Sequence, residues 1–452
     1  MPPVFTSLLD FTTELLYVKS MRNVVKVRIY PNPEQAVKLA KTFGCARWVW
    51  NNSLALTNQL YKETGKGLTR NQIKARLPGL KKEHPWLKDA YSQVLQSVCL
   101  NLSQAFINFF ERRSRYPRFK SLHAPQSVQY PQHTKLGEGN IHLPGGIGWV
   151  KAKLHRRFEV NASRLVPRRE HCVDFEGNLK TVTVSLNSDG KYYASLLFEN
   201  NEPLPTPTAE GKAIGVDLGL NHFAITSDGL KIDNPKHLAK HEGNLKRKQQ
   251  KLQRKKKGSN TRKKAKKLVA KVHQRVANTR KDFLHKLSYR LVNENQVIAI
   301  ESLNVKGMVR NHNLAKAISD CGWSTFVGML KYKCERSGKT LVQIDRFFPS
   351  SKTCNCCLYQ IAELSLSNRS WQCPSCKTHH DRDINAALNI LDEGKRILSC
   401  GRRETARVTS QDVAGVSARS NPEQNLQTQS KTKRAEARQA SADETGSHSC
   451  TA

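Results

Sequence analysis

Residues 354–385, CNCCLYQIAELSLSNRSWQCPSCKTHHDRDIN, constrain the fold of this chain more than any other stretch. Cys354-x2-Cys357 and Cys373-x2-Cys376 are separated by fifteen residues, 358 to 372. Two such knuckles are the pattern of a four-thiolate zinc ribbon, in which each tight turn presents two sulfurs and the loop returns the second turn to complete a tetrahedron. Four thiolates close the coordination shell, so this zinc is expected to be structural. Cys356 is left as a spare. The plain alternative, a set of buried free thiols, is disfavoured by the paired spacing. A rival ligand set would use His379 or His380, which otherwise read as linker.

The charge balance sets the partner class. Among 452 residues, 75 Lys and Arg face 37 Asp and Glu, for a net charge of +38 and a pI near 10. Such an excess repels itself unless a polyanion neutralises it, which makes nucleic acid the leading partner. An anionic membrane is the second candidate, but no apolar run is long enough to anchor or span one. The twelve cysteines lie mostly singly, so a disulfide framework is disfavoured and a reducing cytoplasm fits better. Length favours two or three domains.

Along the chain, residues 1–20 read as a non-structural leader: Asp10 and Glu14 interrupt its apolar stretch, and no basic residue precedes it. VVKVRIY (24–30) alternates as a half-buried strand. Residues 34–120 read as mainly helical, with turns at ETGKG and HPW, and the segment ends in the basic, aromatic loop RRSRYPRFKS, where Arg118 and Lys120 are candidate phosphate contacts beside Tyr116 and Phe119. A solvated basic loop is the equal alternative there. GNIHLPGGIGWVKAKLH and KTVTVSLNSDGKYYASLLFE read as β-hairpins. Between them, 160–174 carries no period and reads as an insertion. Pro-rich 200–212 is the best domain boundary. Residues 236–292 read as a helical hairpin broken at Gly258, and residues 241–290 hold 19 Lys and Arg against only Glu242 and Asp282. Ordinary exposed helices mix signs, so this is a basic face and not simply a solvated one, with Arg247, Lys248 and Arg254 as candidate nucleic-acid contacts. QVIAIESL reads as a buried strand, and TLVQID as another. Residues 399–452 lack apolar content and period and are expected to be disordered.

Two acids stand where acids are costly. Asp217 interrupts IGVDLG, and Glu301 ends VIAIE. A buried carboxylate needs a partner or a cation. Asp381 and Asp383 precede the helical pattern INAALNIL, where a single Asp is more simply an N-cap. Taken together, two acids on adjacent buried strands and a third at a helix start can converge on one or two Mg²⁺ ions.

These residues carry a resemblance. GVDLGLNHFAITSDG, IAIESLNVKGM, SSKTCNCC, WQCPSC and HHDRDINAALNI, in that order, with VRIYPNPEQ, YSQVLQSV and YPRFKS before them, resemble the OrfB/TnpB proteins of bacterial insertion sequences, relatives of the type V CRISPR effectors. The likeness runs from about residue 21 to 398. It implies a RuvC-like nuclease domain of RNase H-like α/β fold (212–398) with a zinc ribbon at 350–380, preceded by a β-barrel module with inserted helices (21–205). It implies Asp217, Glu301 and Asp383 as catalytic, magnesium-holding acids, with Asp381 in reserve for the third. It also implies zinc on Cys354, Cys357, Cys373 and Cys376. Gln93 and Gln96 are candidates for reading a DNA motif, since amides can read base edges. The implied protein is bacterial, cytoplasmic and nucleoid-associated; it binds a transposon-encoded guide RNA and cuts matching double-stranded DNA. Departures from the family pattern are Leu358 and Lys377, where glycine usually follows each knuckle and whose absence is expected to loosen the turns, and the 160–174 insertion, flanked by Phe-Glu at both 158–159 and 175–176. Competing readings are a binding protein that does not cut, and a strand-joining transposase, for which no tyrosine-nucleophile motif is evident. Nothing in the sequence sets the oligomeric state.

Overall fold

The computed structural model describes residues 20–411 apart from 124, 155, 160–172 and 366. The leader, the centre of the insertion and the tail beyond 411 therefore lie outside the described residues. The chain divides into a unit of residues 1–395 and a second of 396–452.

The first unit begins with β1 (Ser20–Tyr30), starting at the last residue assigned to the leader. Asn32 then caps α1 (Pro33–Thr64) in a full capping box with Gln35, and Gly65, in the left-handed region at φ 69°, ends it at the expected ETGKG turn. Short helices α2 (Arg70–Ala75) and α3 (Leu77–Glu83) and a 3-10 turn (Pro85–Asp89) lead into α4 (Ser92–Phe110). On α4 Val94, Val98 and Leu102 are buried, as the helical spacing predicts.

Strands β2 (Gln126–Tyr130), β3 (Lys135–Gly137), β4 (Asn140–Leu143) and β5 (Gly148–Lys153) follow, with β6 (Arg156–Glu159) and β7 (Val173–Glu176) on either side of the insertion. β8 (Asn178–Leu186) and β9 (Tyr192–Pro203) form the second expected hairpin. Seven strands make one antiparallel sheet, ordered β2-β8-β9-β1-β5-β4-β3. The helices α1–α4 are inserted between its strands β1 and β2 and share its hydrophobic core, from Val27 and Ile29 through Leu39 and Val49 to Leu95 and Phe198. β6 and β7 pair with each other in parallel, and the repeated Phe-Glu comes into register: 158 opposite 175, 159 opposite 176.

After the proline-rich segment comes a second, five-stranded sheet: β10 (Ala213–Asp217), β11 (His222–Thr226), β12 (Lys231–Asp233), β13 (Val297–Glu301) and β14 (Thr340–Ile344). Its order is β12-β11-β10-β13-β14, with β10, β13 and β14 parallel to one another and β11 antiparallel to both of its neighbours, β10 and β12. Burial on both faces explains why β13 reads as an unbroken apolar run. The basic hairpin is α5 (Ala239–Gln253) and α6 (Asn260–Glu294), broken at Gly258, with Ser259 capping α6. Leu284, Leu287 and Leu291 of α6 pack into the sheet core with Trp323 and Phe326.

Then come α7 (Val305–Met308), α8 (Ala315–Cys321) and α9 (Trp323–Arg336). β15 (Ser370–Gln372) and β16 (His379–Asp381) form the ribbon's two-stranded sheet. The last helix is α10 (Arg382–Gln411). Residues 399–411, expected to be disordered, instead continue α10; a helical run without apolar periodicity escaped a reading based on apolar pattern. No helix among the described residues is long and apolar enough to cross a membrane.

Candidate catalytic and zinc sites

The geometry of the acids follows from two glycines. A Cβ at Gly215 of β10 would fall 2.1 Å from the Ala387 carbonyl oxygen and 2.8 Å from the Leu391 nitrogen, and one at Gly394 would fall 2.5 Å from the Ala299 side chain. α10 therefore lies directly on β10 and β13, closer than a side chain allows. Side chains alternate along a strand, so Asp217 points to the same face as Gly215, and Glu301 to the same face as Ala299. Val216 pairs with Ile300, which makes Asp217 and Glu301 neighbours at the ends of adjacent parallel strands. Asp383 stands in the first turn of α10. Asp217 and Glu301 thus lie side by side at the carboxyl ends of β10 and β13, and Asp383, at the start of α10, is near enough to act on Asp217 by like-charge repulsion.

Electrostatics agrees. Burial pushes the Asp217 carboxyl up to about 7, with Glu301 and Asp383 adding like-charge repulsion, against partial relief from the Leu218 amide and Arg382. Burial likewise raises Glu301 above the ordinary glutamate value, opposed by the Ser350 hydroxyl, which donates to Oε1 at 2.5 Å. Asp383 is paired with Arg369 of the ribbon at 3.3 Å.

Asp381 plays a different part. Its Oδ1 accepts the amides of Asp383 and Ile384 at 3.1 and 3.2 Å, and its Oδ2 takes Lys231 at 2.5 Å. Burial opposes its charge, but Lys231 and the helix amides outweigh this and hold its carboxyl below the usual range. It is the N-cap, and its neighbour Asp383 faces the other acids.

The four cysteine sulfurs all lie within 4.8 Å of one another, with Cys354–Cys376 at 3.6 Å and Cys357–Cys373 at 3.5 Å. Zinc–sulfur bonds of about 2.3 Å in a tetrahedron put sulfurs about 3.8 Å apart, so the set fits zinc. The two knuckles repeat one design. Leu358 N–H donates to Cys354 O at 2.9 Å, and Lys377 N–H to Cys373 O at 3.0 Å. Cys354 N–H and Cys373 N–H donate in turn to Tyr359 O and Thr378 O. Leu358 and Lys377 take φ of 63° and 61°, the left-handed conformation that favours glycine. The turns are therefore closed, contrary to the loosening expected, and carry the strain in their backbones.

His379 and His380, expected as linker, form β16 instead. His380 Nε2 lies 3.0 Å from Cys354 Sγ, and its ring packs 4.7 Å from that of Trp371. It stands beside a sulfur of the four-cysteine set, where an imidazole can orient a thiolate ligand by hydrogen bonding. The sequence reading also missed Asn385 and Asn389, buried one turn apart on α10. Asn385 donates to Thr353 O and accepts from Asn355 N–H; Asn389 donates to Ser350 O and Thr353 O, at 2.6–3.0 Å. They clamp the first knuckle onto the helix that carries Asp383. Two asparagines at i and i+4 inside an apolar helical face were the available signal.

The remaining candidates are spread over other surfaces. Gln93 and Gln96 are half-buried on α4. Arg118 and Lys120 lie on an exposed loop held against α1: Trp50 Nε1 donates to Arg118 O, Asn51 bonds both backbone groups of Lys120, and the Lys120 ammonium sits 3.8 Å from the Trp50 ring. Arg247 and Arg254 are exposed on or just past α5, and Lys248 is half-buried.

Residues 195–312 match a family described as "Probable transposase", residues 323–390 the Cas12f1-like TNB domain, and residues 21–66 a helix-turn-helix domain, although the last hold β1 and α1 here. A Streptomyces pristinaespiralis protein is 39% identical over 88% of this chain and 96% of its own length. Escherichia coli K12 InsQ is 30% identical over 83% and 93%. Both bear the name "Putative RNA-guided DNA endonuclease". A solved Cas12f1–sgRNA–target DNA complex shares the fold at TM-score 0.51 and 12% identity, over 82% of this chain and 98% of that one. With identity at this level along nearly its whole length, the chain belongs to the OrfB/TnpB family.

Proposed function

We propose that this protein is a transposon-associated, RNA-guided DNA endonuclease whose Asp217, Glu301 and Asp383 hold Mg²⁺. The observation that carries the reading is the gathering of three acids at one sheet end, with Asp217 driven up to about 7 by burial and by its two neighbours. A carboxylate held against its charge by burial and by neighbouring acids is what a hard divalent cation relieves. When bound, such an ion supplies an activated water and stabilises the leaving oxygen of a phosphodiester. The chain's own residues orient the ligands: Ser350 fixes the Glu301 carboxylate, and the Asp381 cap fixes the helix start that presents Asp383.

The strand order, with β11 alone running against the other four, supports an RNase H-like domain of the RuvC type. The seven-stranded sheet with α1–α4 inserted supports the barrel-and-helices module. The basic α5–α6 hairpin supports a polyanionic partner, read as a transposon-encoded guide RNA and its double-stranded DNA target, bound with strong salt dependence. A bacterial cytoplasmic, nucleoid-associated location follows from those partners.

The test is cleavage of a target plasmid by the full chain with the flanking transposon RNA and Mg²⁺. Wild type should cut, and Asp217→Ala should lose at least about a thousandfold in rate. Equal rates would sink the nuclease reading and leave a protein that binds nucleic acid without cutting.

A further inference from the structure

One turn beside the acids presents an aromatic ring to solvent. β14 ends at Ile344, the register partner of Glu301. The next six residues are pinned at both ends. Asp345 Oδ1 accepts the Phe347 amide at 2.7 Å, and Asp345 O accepts that of Phe348. At the far end buried Ser350 donates to Glu301, and its carbonyl accepts from Asn389 of α10. Phe348 and Pro349 are half-buried. Phe347, at 77% exposure, protrudes, with the Arg346 guanidinium 4.3 Å from its ring centre.

A single exposed apolar side chain is ordinary. This one is held on a short, hydrogen-bonded turn that also positions a carboxylate, with a cation over its ring. An aromatic platform beside a positive charge is how proteins hold a base and its phosphate in an unpaired strand. Resting on the nuclease reading, we infer that Phe347 stacks on an unpaired base of the DNA strand delivered to the three acids, while Arg346 meets an adjacent phosphate. Phe347 is thus a substrate-positioning residue, one that a base held in a duplex cannot reach.

Two measurements on the full chain test this. In Asp217→Ala protein, Phe347→Trp adds a reporter, and a short oligothymidylate should quench the added fluorescence while the same duplexed strand should not. In cleaving protein, Phe347→Ala should lower the single-turnover rate about tenfold, the worth of one stacked base, with zinc content and melting temperature unchanged, and Phe347→Trp should restore it. Arg346→Gln should instead lower the salt slope of oligothymidylate binding by roughly 0.7, as one lost single-strand phosphate contact does. No quenching, or Asp217-dependent cleavage indifferent to Phe347→Ala, overturns the inference. Quenching without any Asp217-dependent cleavage upholds the stacking site and fails the nuclease reading alone.

Discussion

The four-cysteine ribbon and the acid cluster both pack on α10 and solve opposite problems. In the ribbon, four sulfurs are gathered by local turns whose hydrogen bonds repeat from knuckle to knuckle, so each half of the ligand set is encoded within a few residues. In the acid cluster, three carboxylates come from segments each more than eighty residues from the next, and only the packing of α10 on β10 and β13 brings them together. The ribbon brings together sulfurs that a metal would tie to one another. The acid cluster is set by the packing of the sheet on α10, and its burial and mutual repulsion are a standing cost. The difference teaches which site is fragile to what: the ribbon to loss of ligands, the acids to small displacements of the helix they share.

The largest effect expected is on the ribbon. Structural zinc contributes folding free energy outright. Cys373→Ser, or chelation, should cost on the order of several kcal/mol locally, release about one zinc per chain by metal analysis, and abolish cleavage because the Asn385 and Asn389 clamp loses its knuckle. Full cleavage by zinc-free protein would break the claimed coupling between the two sites.

Next is the packing that makes the acid cluster. Gly215→Ala forces α10 away from β10 and should cost about 1–3 kcal/mol, lowering the melting temperature while zinc content stays whole. Cleavage should fall more than stability does, since Asp383 moves with the helix. A variant with wild-type melting and rate would mean that the close approach does not set the site.

What the sequence made legible follows the same division. The cysteines could be read from spacing alone, because their chemistry is local. Asp217 and Glu301 were visible as acids breaking apolar strands, but choosing Asp383 over Asp381 needed the resemblance; in the structure it is the Asp381 carboxylate that accepts the α10 amides. His380 was misread because its place exists only across the β15–β16 pairing, and Arg369 went unnoticed because an ion pair to Asp383 fourteen residues away leaves no periodic trace. The continuation of α10 through 399–411 was missed because apolar periodicity reports packing, and a polar helix has none to report.

A smaller effect isolates the standing repulsion. The folded-state value of Asp217, about 7, is above that of an unfolded aspartate. The native state then holds a proton that the unfolded chain has lost, so metal-free protein gains stability as pH falls from about 7 toward about 4. Asp217→Asn removes the charge and should stabilise metal-free protein by about 1–2 kcal/mol at pH 8, the site keeping some solvent contact, and by almost nothing near pH 4. Chemical denaturation at the two pH values checks it; a gain independent of pH would show that the carboxylate is not held against its charge. Saturating Mg²⁺ should reverse the advantage at pH 8, because the wild type alone keeps the full ligand set.

The smallest effect lies in the two knuckle turns. A left-handed conformation costs a non-glycine residue roughly 1–2 kcal/mol, and glycine gives back roughly half to one through the greater freedom of its unfolded chain. Leu358→Gly and Lys377→Gly should each stabilise the zinc-bound ribbon by a few tenths to about 1 kcal/mol, visible as slower zinc release to a chelator by roughly two- to fivefold. Because the knuckles share one hydrogen-bond design, the two changes should be similar in size and nearly additive. Leu358 is 74% exposed, so its removal costs little packing. Cleavage should not change, since neither residue reaches the acids. If Leu358→Gly loosened zinc instead, the side chain would have to be a contact for something the ribbon docks against, and the closed turn would be held by that contact and not by its backbone.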